Sequence, residues 1–405
     1  MAAEELRRHN LAAVLDRLHL SGSISRSELT QITGLNRSTI ADLIGELVGL
    51  GLVEEGPGAV TAGPGRPSPI ARPRPEGSVT LALELSVDSI AAATVGLGGH
   101  VYNQVRVARP RAFFTPEETA EHLAQLAGPL ISALPQGHRL IGIGVAMAGI
   151  VRRDDGFVHL APNLGWRDVE LGSILDQALG LGAPLVMANE ADLGALAESR
   201  RGAGSTARQM VYIAGEAGIG AGIVQDGHPM LGVSGYAGEV GHMLINPGGR
   251  ACTCGARGCW ETEAGEAALA RRAGMEGMVG QHLADRIVAA AEEEDPRVLE
   301  ALAETGRWMG RGIGNLINVF NPDRIVVGGI YHIYFPYFAP SLTEEARAVA
   351  LSAPGSAVGI VRSELGEDAA LVGAAELALS GVIADPAAVV RYDTEASPDL
   401  VEGGA

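Results

Sequence analysis

The chain contains no lysine: all 30 of its basic side chains are arginines. A P-loop is thereby excluded, because its Gly-Lys pair must bring an ammonium to the nucleotide phosphates. Cysteine is scarce as well, with three in 405 residues, all between Cys252 and Cys259. An odd number so tightly grouped is poorly spaced for a disulfide framework and better suited to a metal. No run reaches the ~18 apolar residues of a membrane span. Met1-Ala2-Ala3-Glu4-Glu5 also lacks the basic-then-apolar order of a signal peptide. The expected location is the cytoplasm, with no membrane partner.

What is present is enough apolar material, 47% of 405 residues, for two or three domains. The net charge of −18 is unevenly spread. Residues 1–75 hold eight arginines against eight acids, so the whole excess falls after residue 75. A neutral head on an acidic body can meet DNA without conflict.

Residues 1–75 read as a winged helix-turn-helix. Leu11, Val14, Leu15 and Leu18 give a first helix one apolar face. Ser25-Arg26-Ser27-Glu28-Leu29 starts a second helix carrying Leu29 and Ile32, and Gly34 makes the turn to a third. The third helix buries Ile40, Leu43, Ile44 and Leu47 and leaves Asn36, Arg37, Ser38 and Thr39 at its exposed start, where a recognition helix meets the major groove. Leu52-Val53-Glu54-Glu55 and a second apolar run near Val60 flank Gly56-Pro57-Gly58 as two strands of a wing. In Gly65-Arg66-Pro67, an extended Arg66 suits a narrow minor groove, hence an A/T-containing operator. The same helices are compatible with a three-helix bundle serving protein contacts.

From residue 76 the pattern becomes that of a duplicated α/β fold. Strands are expected at 79–85, 90–95, 101–107, 140–145 and 185–187, with helices at 116–134 and 171–179 between them. A comparable series restarts at Met210 to Ala214 and runs through Gly218-Ile219-Gly220-Ala221-Gly222 to Val224. Helices at 286–293 and 299–318 follow, then a strand at 324–327. The expected organisation is a first lobe at 76–195, joined by a C-terminal helix at about 368–384, a second lobe at 196–367, and a disordered tail at 385–405. Two lobes leave a cleft for a small ligand.

Gly238-Glu239-Val240-Gly241-His242, followed by Cys252-Thr253-Cys254-Gly255-Ala256-Arg257-Gly258-Cys259-Trp260-Glu261, is very similar to the signature of the ROK family of repressors and sugar kinases. Asn163-Leu164-Gly165-Trp166, Asn189-Glu190-Ala191-Asp192, Asn315-Leu316-Ile317-Asn318, Asn321-Pro322-Asp323 and Gly328-Gly329 extend the resemblance over nearly the whole chain. It implies a two-lobed, actin-like or sugar-kinase-like (ribonuclease H-like) body behind the winged head. His242, Cys252, Cys254 and Cys259 supply the four ligands of a closed structural zinc site, although small buried hydrophobes or surface thiols would leave the same trace. The resemblance places Asn189, Glu190, Glu239, His242 and Glu261 at sugar-contacting positions, with Asn163 in a nearby loop. Taken singly, each could be a solvated surface residue.

The resemblance also shows departures. Family kinases carry an Asp-x-Gly-Gly-Thr phosphate loop where this chain has Glu84-Leu85-Ser86-Val87-Asp88, without glycine and with an added acid. A second loop, normally Gly-Thr-Gly-Ile-Gly, reads Glu216-Ala217-Gly218-Ile219-Gly220, and Glu190 stands where the family's catalytic Asp is expected. The expectation is a degenerate kinase, not an enzyme, acting as a sugar-responsive repressor. Its partners would be a pseudo-palindromic operator, a sugar, amino sugar or sugar phosphate, and further copies of itself in a dimer or tetramer. An active sugar kinase with a regulatory head, and a ligand-insensitive regulator or activator, are the alternatives.

Overall fold

The computed structural model describes residues 3–58 and 68–388. The chain opens with α1 (Ala3–Ser21), β1 (Ile24–Ser25), α2 (Arg26–Thr33), α3 (Arg37–Gly49), β2 (Val53–Gly56) and β3 (Ile70–Pro73). Local chemistry sets the bends. Ser25 caps α2 in a reciprocal box: its Oγ accepts the Glu28 amide at 3.2 Å while the Glu28 carboxylate accepts the Ser25 amide at 2.9 Å. Gly34 ends α2 with a φ of 71°, a conformation that favours glycine. Asn36 then caps α3, its Oδ1 accepting the Thr39 amide at 2.9 Å. Ile40, Leu43, Ile44 and Leu47 are buried beneath α1 as the helical spacing requires. Ile32 is not: it is 52% exposed, because two turns of α2 offer the core only the face carrying Leu29.

Among the described residues the strand that pairs with β2 is β3, with Gly56 opposite Ile70 and Val53 opposite Pro73. β3 contributes Ala71, fully buried in the head's core. Val60 and Gly65-Arg66-Pro67 lie outside the described residues.

The first lobe contains β4 (Val79–Leu85), β5 (Ser89–Gly96), β6 (His100–Ala108), α4 (Pro116–Ser132), β7 (Leu140–Met147), β8 (Ile150–Val151), β9 (Val158–Ala161), β10 (Trp166–Val169), α5 (Leu171–Leu179), β11 (Leu185–Asn189) and α6 (Glu190–Arg201). The second has β12 (Gln209–Gly215), β13 (Ile219–Gln225), β14 (His228–Pro229), α7 (Trp260–Ala264), α8 (Glu266–Ala273), α9 (Gly280–Glu292), α10 (Pro296–Phe320), β15 (Arg324–Gly329), α11 (Tyr331–Val349), α12 (Ser352–Ala357) and β16 (Gly359–Arg362). Finally α13 (Ala369–Ala384) returns to the first lobe, and the described chain ends at residue 388.

The duplication is explicit in the sheets. Their orders are β11-β7-β4-β5-β6 and β16-β15-β12-β13-β14. In each, the first strand of the lobe lies at the centre, with an antiparallel meander on one side and parallel strands on the other. Several elements escaped the sequence pattern, among them α6, α7, α8 and β16, and for α11 and the small first-lobe sheet the physical reason is plain. Pro336 and Pro340 sit inside α11, where proline normally stops a helix, yet Tyr331, Tyr334, Phe338 and Leu342 are buried against α10 and hold it. The small sheet β8-β9-β10 is built from strands of two to four residues, too short to show alternation.

Residues 68–78 join head to body tightly. The Arg74 amide bonds Leu52 O in the head at 2.8 Å, while Ser78 O accepts the Leu97 amide of the body at 3.0 Å. Leu97, Ile141, Leu379, Val382 and Ile383 of the body share one buried cluster with Leu11, Leu15 and Leu18 of α1.

Candidate ligand cleft and metal cluster

Between the lobes lies a cavity of about 770 Å³. Asn163, Asn189, Glu190, Glu239, His242 and Glu261, drawn from four separate stretches of sequence, all line it. Asn189 ends β11 and caps α6, its Oδ1 accepting the Ala191 amide and its Nδ2 donating to Gly149 O, each at 2.8 Å. Those bonds place Glu190 on the first turn of α6. Asn163 sits in the 3-10 turn after β9, while Glu239 precedes a second 3-10 turn that presents His242.

The floor of the cleft is rich in carboxyls that resist ionisation. Burial, with the charge of Glu84 added, pushes Glu190 up to about 8. Asp192 is pushed up to about 6 by burial, against the opposing pull of Arg153 at 3.6 Å. Arg153 was not legible as the support of a cleft carboxyl, because nothing in its sequence neighbourhood marks it as the partner of Asp192.

At the other end, the candidate ligand atoms of His242, Cys252, Cys254 and Cys259 lie within 4.8 Å of one another. Cys254 Sγ and Cys259 Sγ are 3.6 Å apart, as are Cys252 Sγ and His242 Nδ1. Tetrahedral zinc, with Zn–S of about 2.3 Å and Zn–N of about 2.0 Å, requires ligand separations of roughly 3.5 to 3.8 Å. The donor set and these two separations fit such an ion, and the wider pairs, up to 4.8 Å apart, would draw in by up to about 1 Å to hold it. The two roles expected of His242 are compatible: Nδ1 faces the thiols, while Nε2 lies 3.9 Å from Glu239 in the cleft.

A second cavity, of about 550 Å³, shares Glu190, Ala214 and Glu216 with the first. The two altered loops meet here. Residues 86–88 form a tight turn between β4 and β5, the Ser86 amide bonding Ser89 O at 3.0 Å. Ser86 Oγ donates to Glu216 across the lobes, and Glu216 Oε2 is buried without a partner among the described residues. Burial, and then the charges of Glu190, Asp88 and Glu84, raise the Glu216 carboxyl well above its ordinary value. Arg106 is occupied by Glu84 at 3.0 Å. Arg111 spans the lobes, bonding Asp88 in the first and Glu266 in the second.

In the head, Arg37 and Ser38 are exposed at the start of α3. Arg7, Arg26, Arg72 and Arg74 are each paired with a nearby glutamate, but Arg37 has no ion pair among the described residues. Asn36 and Thr39 are partly committed to the cap, and Ser38 Oγ donates to Asn36 Oδ1 at 2.7 Å. Arg66 falls outside the described residues. No described helix is long and apolar enough to cross a membrane.

Two like-ordered sheets around a polar cleft define a sugar-kinase-like, actin-like body. The ROK family signature matches residues 80–380, and the chain belongs to the ROK family. It is 30% identical over 372 residues to the xylose repressor of Bacillus subtilis (strain 168), covering 91% of this chain and 94% of that one. A solved ROK family transcriptional regulator, described as a homologue of the Escherichia coli Mlc protein, superposes with a TM-score of 0.78 at 26% identity over 96% of this chain and 99% of its own. The ROK glucokinase of Streptomyces griseus, solved with glucose and AMPPNP, gives a TM-score of 0.63 at 29% identity; it covers 74% of this chain and 99% of its own.

Proposed function

We propose that the protein is a sugar-responsive transcriptional repressor whose body is a sugar-kinase fold retained for sensing. The observation that carries this reading is the segment the kinase lacks. A glucokinase accounts for 74% of the chain, whereas a transcriptional regulator accounts for 96%, head included. In that head, Arg37 stands unpaired on the exposed first turn of α3, the position from which a recognition helix meets the major groove. Asn36, Ser38 and Thr39 flank it, and Arg66, outside the described residues, is the proposed minor-groove contact. A symmetric dimer or tetramer then presents heads to both halves of a pseudo-palindromic, A/T-containing operator.

The effector occupies the larger cavity, its hydroxyls held by Asn163, Asn189, Glu190, Glu239, His242 and Glu261. Such a set of convergent polar groups discriminates sugars better than apolar contact can. Glu190 and Glu216 stand at the inner end of this cavity, with Glu84 in the adjoining one; raised as they are, the first two carboxyls stay largely protonated, so this end suits an uncharged hydroxyl and offers a phosphate no free cation among the described residues. Of a sugar, an amino sugar and a sugar phosphate, the first two fit this end. The same carboxyls, with Arg106 and Arg111 already neutralised, disfavour ATP, so the fold senses without phosphoryl transfer. Zinc held by His242, Cys252, Cys254 and Cys259 anchors the loop that carries Glu239 and Glu261, and supplies structure without entering any reaction.

The test is fluorescence anisotropy with DNA from the region upstream of the protein's own gene. Nanomolar binding released by D-xylose, D-glucose or an amino sugar is expected, and binding indifferent to every sugar would overturn the sensing half of the proposal. A second reading, a kinase with an attached head, is favoured by the carboxyl of Glu190 standing between the two cavities. It requires ADP to accumulate when ATP and sugar are supplied together.

A further inference from the structure

The body and head meet at a buried cluster of charges to which no role in DNA or sugar binding is assigned. Glu376, on α13, has a side chain only 1% exposed and is the one charged residue of that helix. Arg200 Nε donates to it at 2.8 Å, Arg201 Nε donates to its other oxygen, and His19 Nε2 lies 3.0 Å away. His19 belongs to α1 of the head and is fully buried. Its Nδ1 accepts the Gly98 amide at 2.9 Å, and its Nε2 faces both Glu376 and Arg201 Nη2, the latter 2.6 Å away. Arg200 also reaches the head directly, donating to Asp16 of α1 at 2.5 Å. Burial alone would raise the Glu376 carboxyl, but His19 and the two guanidiniums outweigh it and hold the group well below the usual carboxylate range.

Arg200 and Arg201 form the last turn of α6, and Asn189 and Glu190 form its first. One straight helix of twelve residues, roughly 18 Å long, thus has its start in the ligand cleft and its end locked to the head. It is pressed along α13: a Cβ at Gly373 would come within 2.0 Å of Leu193 O, so the two helices cannot slide independently.

We propose that α6 is the element that couples the cleft to the DNA-binding head, with Glu376, Arg200 and Arg201 as positioning residues that transmit its displacement to α1. This rests on the repressor reading and specifies its route. A sugar that draws Asn189 and Glu190 toward the second lobe moves the whole helix, because a hydrogen-bonded helix translates more readily than it stretches. The arginines follow, and the fixed geometry of guanidinium on carboxylate carries α1 along. The network shares no atoms with either the cleft or α3, so substituting it separates coupling from binding.

The experiment compares wild type, Glu376→Gln and Asp16→Asn by anisotropy with the upstream DNA, with and without D-xylose and D-glucose, and by hydrogen exchange with and without DNA. The Asp16 side chain is 39% exposed and its ion pair among the described residues is with Arg200, so its variant should preserve the fold even if Glu376→Gln lowers stability. Coupling is reciprocal. In wild type, sugar should weaken DNA binding about tenfold or more, and DNA alone should change amide exchange at residues 189–194 with no sugar present. In Glu376→Gln both effects should fall to about twofold or less, with DNA and sugar affinities otherwise near wild type; Asp16→Asn should lie between. If both variants keep the full sugar release and the full DNA-dependent exchange, α6 is not the route. A wild-type protein that binds DNA but shows neither effect overturns the coupling proposal. Wild type that binds no DNA at low salt instead contradicts the repressor reading itself.

Discussion

Glu190 is held up to about 8 by burial and the neighbouring charge of Glu84, from an ordinary value of 4.5. An acid whose folded pKa exceeds its unfolded one binds its proton more tightly in the folded state. Stability is therefore lost as pH rises through the interval from about 4.5 to about 8, and Asp192, at about 6, acts in the same direction over a lower window. Melting curves of wild type should decline between pH 5 and pH 8 relative to Glu190→Gln, whereas parallel profiles would show that Glu190 titrates normally. Glu239→Ala should leave operator affinity within about twofold and abolish the sugar response, since Glu239 lines the cleft far from α3. Loss of operator binding in the folded variant would contradict that separation. The six cleft candidates were legible because each sits in a motif. Arg153, Arg111 and His19 were not, because a residue whose role lies in one distant partner leaves no local pattern.

Among elements, the cysteine loop and the α6–α13 pair make the strongest demands. Removing the metal with a chelator should lower the melting temperature and weaken sugar binding together, as the loop bearing Glu239 and Glu261 loses its anchor. Unchanged melting and unchanged sugar affinity after chelation would mean that the four ligands hold no ion of consequence. Gly373→Ala forces a methyl onto Leu193 O and should cost about 1–3 kcal/mol in denaturant titration. A neutral substitution would show that α13 can shift along α6. The central strands and α1, α3 and α5 follow from periodicity and capping alone. By contrast, α11 was hidden by two prolines that tertiary packing overrides, and β3 by a sequence with a single side chain committed to the core.

At the scale of the whole molecule, the head is seated on the body through a shared apolar cluster and a buried ionic joint. The −18 net charge lies on the body, so the DNA must be approached by a neutral head, in which four of the eight acids are ion-paired and Arg37 is not, among the described residues. Affinity should accordingly fall steeply with salt, and Arg37→Ala should cost at least about tenfold in operator binding while leaving the melting temperature unchanged. Similar binding before and after that substitution would move the interface elsewhere. The duplication of the lobes was readable from the recurring order of strands, but the seat of the head was not, because it depends on contacts between residues more than 300 positions apart, such as His19 and Glu376.

The most direct test of the repressor reading is anisotropy of purified protein with its own upstream DNA, titrated with sugars and run in parallel with an assay for ADP. Tight binding that one sugar releases, with no ADP formed, is the predicted result. Absence of DNA binding at low salt, with ADP accumulating when ATP and sugar are present, would contradict it and assign the cleft to catalysis.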